Sequence, residues 1–128
     1  MDVQPQFFDH EVVQKSPNDY EELSIAPHDL LRAWSLSMFA HELLAKNGNI
    51  KSESELSGQT LEKYVAALEM IKRSEPLSKP IIGIGIMDGV EIGIGREIIA
   101  ACVSMNIGKI SINVRKAQSK DVKKLLGI

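Results

Sequence analysis

The chain contains a single cysteine, Cys102, among its 128 residues. No disulfide can therefore form within it, and a cytoplasmic location fits this cysteine usage best. The sequence also lacks any run of about 18 apolar residues, the length that a membrane-spanning helix requires. Its first residues are acidic and show no basic stretch followed by an apolar one, so we expect neither a secretory signal nor a membrane partner.

Motifs for cofactors and metals are missing as well. The glycines of residues 80–95 do not complete the dinucleotide motif G-x-G-x-x-G, because Asp88 stands where the third glycine would be. No G-K-[ST] sequence occurs, which excludes a P-loop. His10, His28 and His41 lack the spacing of metal ligands. We therefore predict no cofactor, no metal and no catalytic residue.

The remaining composition is that of a globular protein, with 44% apolar and 25% charged residues in a chain long enough for one core. Residues 1–26 differ from the rest because they show no regular apolar period, contain Pro5 and Pro17, and are strongly acidic. We predict a mobile acidic arm over 1–26 and a single α+β domain over 27–128. Deleting the arm through residue 24 should then leave the fold intact.

The clearest pattern is the segment 80–95, in which isoleucines alternate with glycines on both sides of a central Asp-Gly pair. Alternation at period two around Asp-Gly is typical of a β-hairpin. A three-residue loop over 87–89 would pair Ile86 with Val90 and gather six branched side chains on one face. This register places Gly89 at the left-handed position of the loop.

The opposite face of this hairpin is nearly bare backbone, since it carries Gly83, Gly85 and Gly93 beside Glu91. Glycine weakens a strand, so such a concentration indicates a close neighbour. Two interpretations remain open: a helix of the same chain packs on the glycines, or the glycines form a flat surface for a partner.

Helical periodicity predicts one helix over 27–46 and a second over 59–73. After the hairpin, the pattern predicts a helix over 96–106, a strand over 109–114 and a short helix over 120–126. The resulting order is α-α-β-β-α-β-α. Because an isolated hairpin is only marginally stable, we expect the last strand to join it in a three-stranded, mainly antiparallel sheet, which gives an α+β fold.

The first predicted helix has an apolar patch on the side that should face water. Phe39 lies among polar residues there, with Leu31 and Met38 beside it. Exposed apolar patches often mark contact surfaces. Either the N-terminal arm or another helix covers this patch, or the patch binds a partner.

These features favour a small non-enzymatic regulatory or adaptor protein that acts through protein–protein interaction. Burial of the apolar patch and docking of a strand edge would supply the binding energy. The partner would be another protein or a second copy of the chain. The predicted contact residues are Leu31, Met38, Phe39, Gly83, Gly85 and Gly93.

The alternative is a winged-helix-like nucleic-acid-binding regulator. Two helices followed by a hairpin match the order of elements in that class, and the C-terminal segment is basic. However, the hairpin tip carries no basic residue, and the second helix mixes acidic with basic side chains, which is poor for approaching phosphates. The residues predicted to bind nucleic acid are Lys109, Arg115, Lys116, Lys120, Lys123 and Lys124.

A third hypothesis is an enzyme in which Asp88, Glu91 and Arg96 share one pocket. A carboxylate pair beside an arginine could perform acid–base chemistry or bind an anion. The turn already explains Asp88, and an exposed strand face explains Glu91, so we do not expect catalysis.

Overall fold

The computed structural model describes residues 4–128. Single turns of 3₁₀ helix occur at Pro17–Asp19, Ala40–Glu42 and Glu53–Glu55. The mixture of helices and strands confirms the α+β class. The helices and strands are, in chain order, β1 (Phe7–Phe8), α1 (Glu11–Lys15), β2 (Tyr20–Ile25), α2 (Pro27–Trp34), α3 (Gly58–Lys72), β3 (Leu77–Ser78), β4 (Ile81–Ile84), β5 (Val90–Ile94), α4 (Arg96–Ser104), β6 (Ile110–Arg115) and α5 (Lys116–Leu126).

The strands form two sheets, which corrects the prediction of a single three-stranded one. β1 and β3 make a short parallel pair, whereas the larger sheet has the order β2-β6-β4-β5. β2 is antiparallel to β6, and β4 is antiparallel to β5. β6 runs parallel to β4 and therefore opposite to β5, and α4 connects β5 with β6 in the chain.

The additional strand, β2, lies in the segment that the sequence predicts to be an irregular arm. It pairs with β6 along its whole length, and Tyr20 and Ile25 are buried. The prediction of an irregular segment over 1–26 is therefore wrong for β1, α1 and β2, while residues 1–3 lie outside the described residues. The strand is hard to detect because Tyr20 and Ile25 are an odd number of residues apart and so lie on opposite faces.

The hairpin of β4 and β5 exists, but its register differs from the predicted one by two residues. Ile84 pairs with Val90, and the loop consists of residues 86–88. Asp88, not Gly89, adopts the left-handed conformation, with φ 59°. Aspartate tolerates this region better than most residues. A shift of two keeps the same side chains on each face, so alternation alone cannot distinguish the two registers.

The first predicted helix is much shorter than expected, since α2 ends at Trp34 rather than near residue 46. Two serine hydroxyls bond to the backbone just beyond it. Ser35 donates to the carbonyl of Arg32 at 2.6 Å, and Ser37 accepts from the N–H of Phe39 at 3.1 Å. Such local bonds compete with the helical pattern and favour a turn.

The core is built around α4, in which Ile99, Ala100, Ala101 and Cys102 are fully buried. α4 packs against α2 and α3, while α5 lies across the four strands of the larger sheet. Cys102 is thus buried, and burial raises the pKa of its thiol to about 12. Within residues 4–128, no helix combines the length and the apolar character that would let it cross a membrane.

The start of α4 depends on a glycine. Gly95, with φ 95°, directly precedes the helix in the left-handed region. A side chain at this position would also meet the Cα atom of Pro80 at 3.0 Å. Only glycine satisfies both conditions without strain, which explains one glycine of the repetitive segment.

Candidate interaction surface

Three segments that are distant in the sequence meet around one concave site. They are the loop that follows α2, the tip of the β4–β5 hairpin and the C-terminal part of α5. The cavity between them has a volume of about 280 Å³. We use the term apolar surface for the six large apolar side chains that line it: Leu36, Met38, Phe39, Ile86, Met87 and Leu125.

Several of these side chains are almost completely exposed to water. The exposed fractions are 87% for Leu36, 83% for Ile86 and 75% for Met87. Single exposed apolar residues are common on proteins, but a contiguous group around a concavity is typical of an interaction site.

A polar cluster beside the apolar surface holds its parts together. The carboxylate of Glu91 on β5 accepts hydrogen bonds from Trp34 Nε1 at 3.2 Å and from Ser37 Oγ at 2.5 Å. It also accepts one from Arg96 at 3.0 Å. One carboxylate thus connects α2, the following loop and α4 with the hairpin.

Arg96 extends this cluster to the other side. Its guanidinium donates to Glu42 at 2.9 Å and to the carbonyl of Ile92 at 3.0 Å. It also lies over the rings of Trp34 and Phe39, 5.4 and 5.2 Å from their centroids. These contacts stabilise Phe39 in a fixed position, since a cation over an aromatic face is attracted by its quadrupole.

The structure brings together only part of the set predicted to contact a partner. Met38 and Phe39 belong to the apolar surface, and Gly85 lines its cavity. Leu31 does not belong to it, because it is buried in the core. The prediction assumed one continuous helix, and its early end separates Leu31 from the other two residues.

The three predicted glycines lie in three different environments. A side chain at Gly83 would meet Gln118 Oε1 of α5 at 2.7 Å, so a helix of the same chain covers this position. Gly85 lies beside the stem of Glu91, whereas Gly93 is exposed and lines a second cavity. The interpretation that a helix of the same chain packs on the glycines is therefore correct for Gly83.

This second cavity, of about 630 Å³, lies between α3 and the start of α4. Ser78 lines it, and its buried hydroxyl has no hydrogen-bond partner within residues 4–128. Lys63, Arg96 and Glu97 also line it, so both signs of charge are present. In the described part of the chain, no three acidic, histidine or cysteine side chains cluster as metal ligands would.

The residues predicted to bind nucleic acid separate into two groups. Four of them, Lys116, Lys120, Lys123 and Lys124, lie together on α5 around a shallow depression. Lys123 pairs with Glu21 of β2 at 2.7 Å. Arg115 ends β6 and lies over the ring of Tyr20. Lys109 precedes β6 at its opposite end, so the set does not form one continuous basic face.

Comparison with known proteins adds nothing to this geometry. The chain matches no family model, and no curated protein or solved structure is significantly similar to it. The surface must therefore be interpreted from its own residues.

Sequence reasoning missed Leu36, Ile86, Met87 and Leu125. Ile86 and Met87 did carry a signal, because hairpin loops normally contain polar or turn-forming residues and this loop has two large apolar ones. Leu36 and Leu125 carried none, since each lies in an apparently ordinary amphipathic helix pattern.

Proposed function

We propose that this chain is a non-enzymatic interaction protein that binds a partner protein through the apolar surface. The observation that carries the proposal is the convergence of three segments into one exposed apolar site around a cavity. A monomer gains nothing from keeping Leu36, Ile86 and Met87 in water, whereas a partner would bury them.

The energetics support binding through this site. Burying one large aliphatic side chain is worth roughly 1.5–3 kcal/mol. Association costs about 4–15 kcal/mol, so a few such side chains at the centre must act together with a surrounding rim. The Glu91 and Arg96 contacts hold the loop after α2 in place before binding, which reduces the entropy lost on association.

The same contacts argue against the enzyme hypothesis. Glu91 and Arg96 lie together, as that hypothesis requires, but both are engaged with each other and with neighbouring groups. Asp88 has the left-handed conformation of the hairpin loop, which gives it a structural role.

The test is affinity capture with wild-type protein and the variants Leu36→Ser and Ile86→Ser. A protein that wild type retains and both variants lose is then purified, and its affinity is measured by titration calorimetry. We expect each variant to weaken binding at least tenfold, which corresponds to about 1.4 kcal/mol. Circular dichroism should show an unchanged fold, since both side chains are exposed.

Val12→Ser is the matched control, because Val12 is an exposed apolar residue outside the apolar surface. It should bind as wild type does. If no partner distinguishes wild type from Leu36→Ser and Ile86→Ser, the proposal is wrong.

A second candidate function is binding of nucleic acid through the lysines of α5. The supporting observation is the group of Lys116, Lys120, Lys123 and Lys124, of which Lys123 pairs with an acidic residue. Phosphate contacts release counterions, so affinity should fall steeply with salt. Fluorescence anisotropy of a labelled duplex at low and at high salt tests this, with Lys120→Gln/Lys124→Gln as the variant. Absence of binding at low salt would eliminate this candidate.

A further inference from the structure

We infer that the partner of the apolar surface is a second copy of this chain, related to the first by a twofold axis. This inference rests on the proposed function and names the partner that the same surface fits. Three properties of the surface support it: its charge, its shape and its area.

The charge of the surface suits a copy of itself. Among residues 4–128, Glu91 is the one charged residue that lines the cavity, and Arg96 pairs with it at 3.0 Å. The cavity therefore presents no unpaired charge to a second copy. Asp88, the charged residue of the hairpin loop, is exposed and can stay in water at the edge of the contact, where it avoids the several kcal/mol that unpaired like charges would cost. A strongly charged partner would find no complementary group at the centre of this site.

The shape of the surface is self-complementary. Ile86 and Met87 project from the hairpin tip, and the cavity opens directly beside them. In a twofold interface, each residue pair occurs twice with the roles exchanged. The tip of one copy can thus enter the cavity of the other while its own cavity receives the partner's tip.

The area is close to what a stable dimer needs. Burying a large apolar side chain is worth roughly 1.5–3 kcal/mol, and each Å² of apolar surface removed from water contributes about 25 cal/mol. One such side chain therefore removes about 100 Å² from water. The six side chains of the apolar surface then supply most of the roughly 800 Å² that each partner buries in a standard interface. The polar residues around them would contribute the remainder.

Sedimentation equilibrium of the wild-type protein, from low to high micromolar concentration, tests the inference. We expect the mass to approach twice the 14.1 kDa of the chain as the concentration rises. Ile86→Glu places two carboxylates in each interface, so it should raise the dissociation constant by at least about tenfold. Val12→Glu makes the same change outside the apolar surface and should leave the dissociation constant unchanged.

Cross-linking shows whether the dimer uses the proposed contact. With molecular oxygen and a copper catalyst as the oxidant, an equimolar mixture of Met87→Cys and Met38→Cys proteins should form a mixed disulfide, because the tip of one copy lies in the cavity of the other. A mixture of Met87→Cys with Val12→Cys should not. The native Cys102 does not compete, since it is fully buried and its thiol has a raised pKa of about 12.

The outcomes separate this inference from the proposed function. A wild-type protein that stays monomeric at high concentration overturns the twofold dimer, as does a dimer that Ile86→Glu leaves intact. If the monomer nevertheless binds a different protein in a way that depends on Leu36 and Ile86, the proposed function stands and self-association alone fails. A monomer without any such partner rejects both.

Discussion

Glu91 links three separate parts of the chain beside the apolar surface. Its carboxylate accepts hydrogen bonds from Trp34, Ser37 and Arg96, which come from three different parts of the chain. Its side chain is only 19% exposed, so these bonds lie in a partly desolvated environment. Removing the carboxylate would leave Trp34 and Ser37 without their acceptor.

Glu91→Ala should therefore lower the free energy of unfolding by about 2 kcal/mol, the usual cost of removing hydrogen bonds to a charged group. Urea denaturation at neutral pH measures this change. The control is Glu62→Ala, since Glu62 is exposed on α3, and its effect should stay within about 0.5 kcal/mol. Equal effects of the two substitutions would mean that the Glu91 contacts do not stabilise the fold.

Among the elements, the N-terminal segment is tied to the larger sheet by ionic contacts. Asp9 accepts from Lys79 at 2.9 Å and from Asn113 of β6 at 3.1 Å. Lys79 also pairs with Glu22 of β2. Hydrogen bonds from Lys79 and Asn113 hold the pKa of Asp9 below its usual value of 3.8.

This direction of the pKa shift determines the expected pH dependence. A carboxyl whose pKa is lowered in the folded state stabilises the fold above its unfolded pKa, and this contribution is lost as the pH falls through the folded value. We expect Asp9→Asn to lower stability at pH 7 by roughly 0.5 kcal/mol or less, because Asp9 is partly exposed. As the pH falls from 7 towards 2, the difference from wild type should shrink.

Urea midpoints at pH 7 and near pH 2 provide the measurement. Asp121→Asn, an exposed change on α5, is the control and should shift the midpoint little at either pH. A difference between wild type and Asp9→Asn that grows with acidification would contradict the assigned role of Asp9.

At the scale of the whole molecule, the uneven charge of the sequence is partly neutralised by the fold. The acidic segment before residue 26 and the basic α5 meet where Glu21 contacts Lys123 and accepts a hydrogen bond from Ser119. Lys123 and Ser119 hold the pKa of Glu21 below its usual value. The acidic segment thus shields part of the basic one within the molecule.

Truncation tests how much the molecule depends on its N-terminal segment. Deleting residues 1–26 removes β2 and leaves β6 as an edge strand, whose Ile110, Ile112 and Val114 are buried in the intact chain. We expect this variant to lose its cooperative thermal transition in circular dichroism, because the new edge strand is apolar. Deleting residues 1–19 keeps β2 and should give a folded protein with a lower melting temperature.

A folded 27–128 fragment with the melting temperature of the full chain would show that β2 is dispensable. That result would support the sequence-based prediction that the fold does not depend on the N-terminal segment.

The sequence by itself determined the α+β class, the position of α3 within one residue and the hairpin. These features depend on local periodicity and turn residues, which neighbouring positions encode directly. It also indicated Met38 and Phe39 as exposed apolar residues, because apolar side chains on a polar face are visible in the same periodicity.

Only the tertiary structure decided where α2 ends, which register the hairpin adopts and that β2 joins the sheet. The loop after α2 is held by the bond between Ser37 and Glu91, which are far apart in the sequence. The two hairpin registers place the same side chains on each face, so the alternation of residues does not distinguish them. The same holds for the apolar surface. Leu36, Ile86 and Leu125 become one site only when packing brings a loop, a hairpin tip and a helix together.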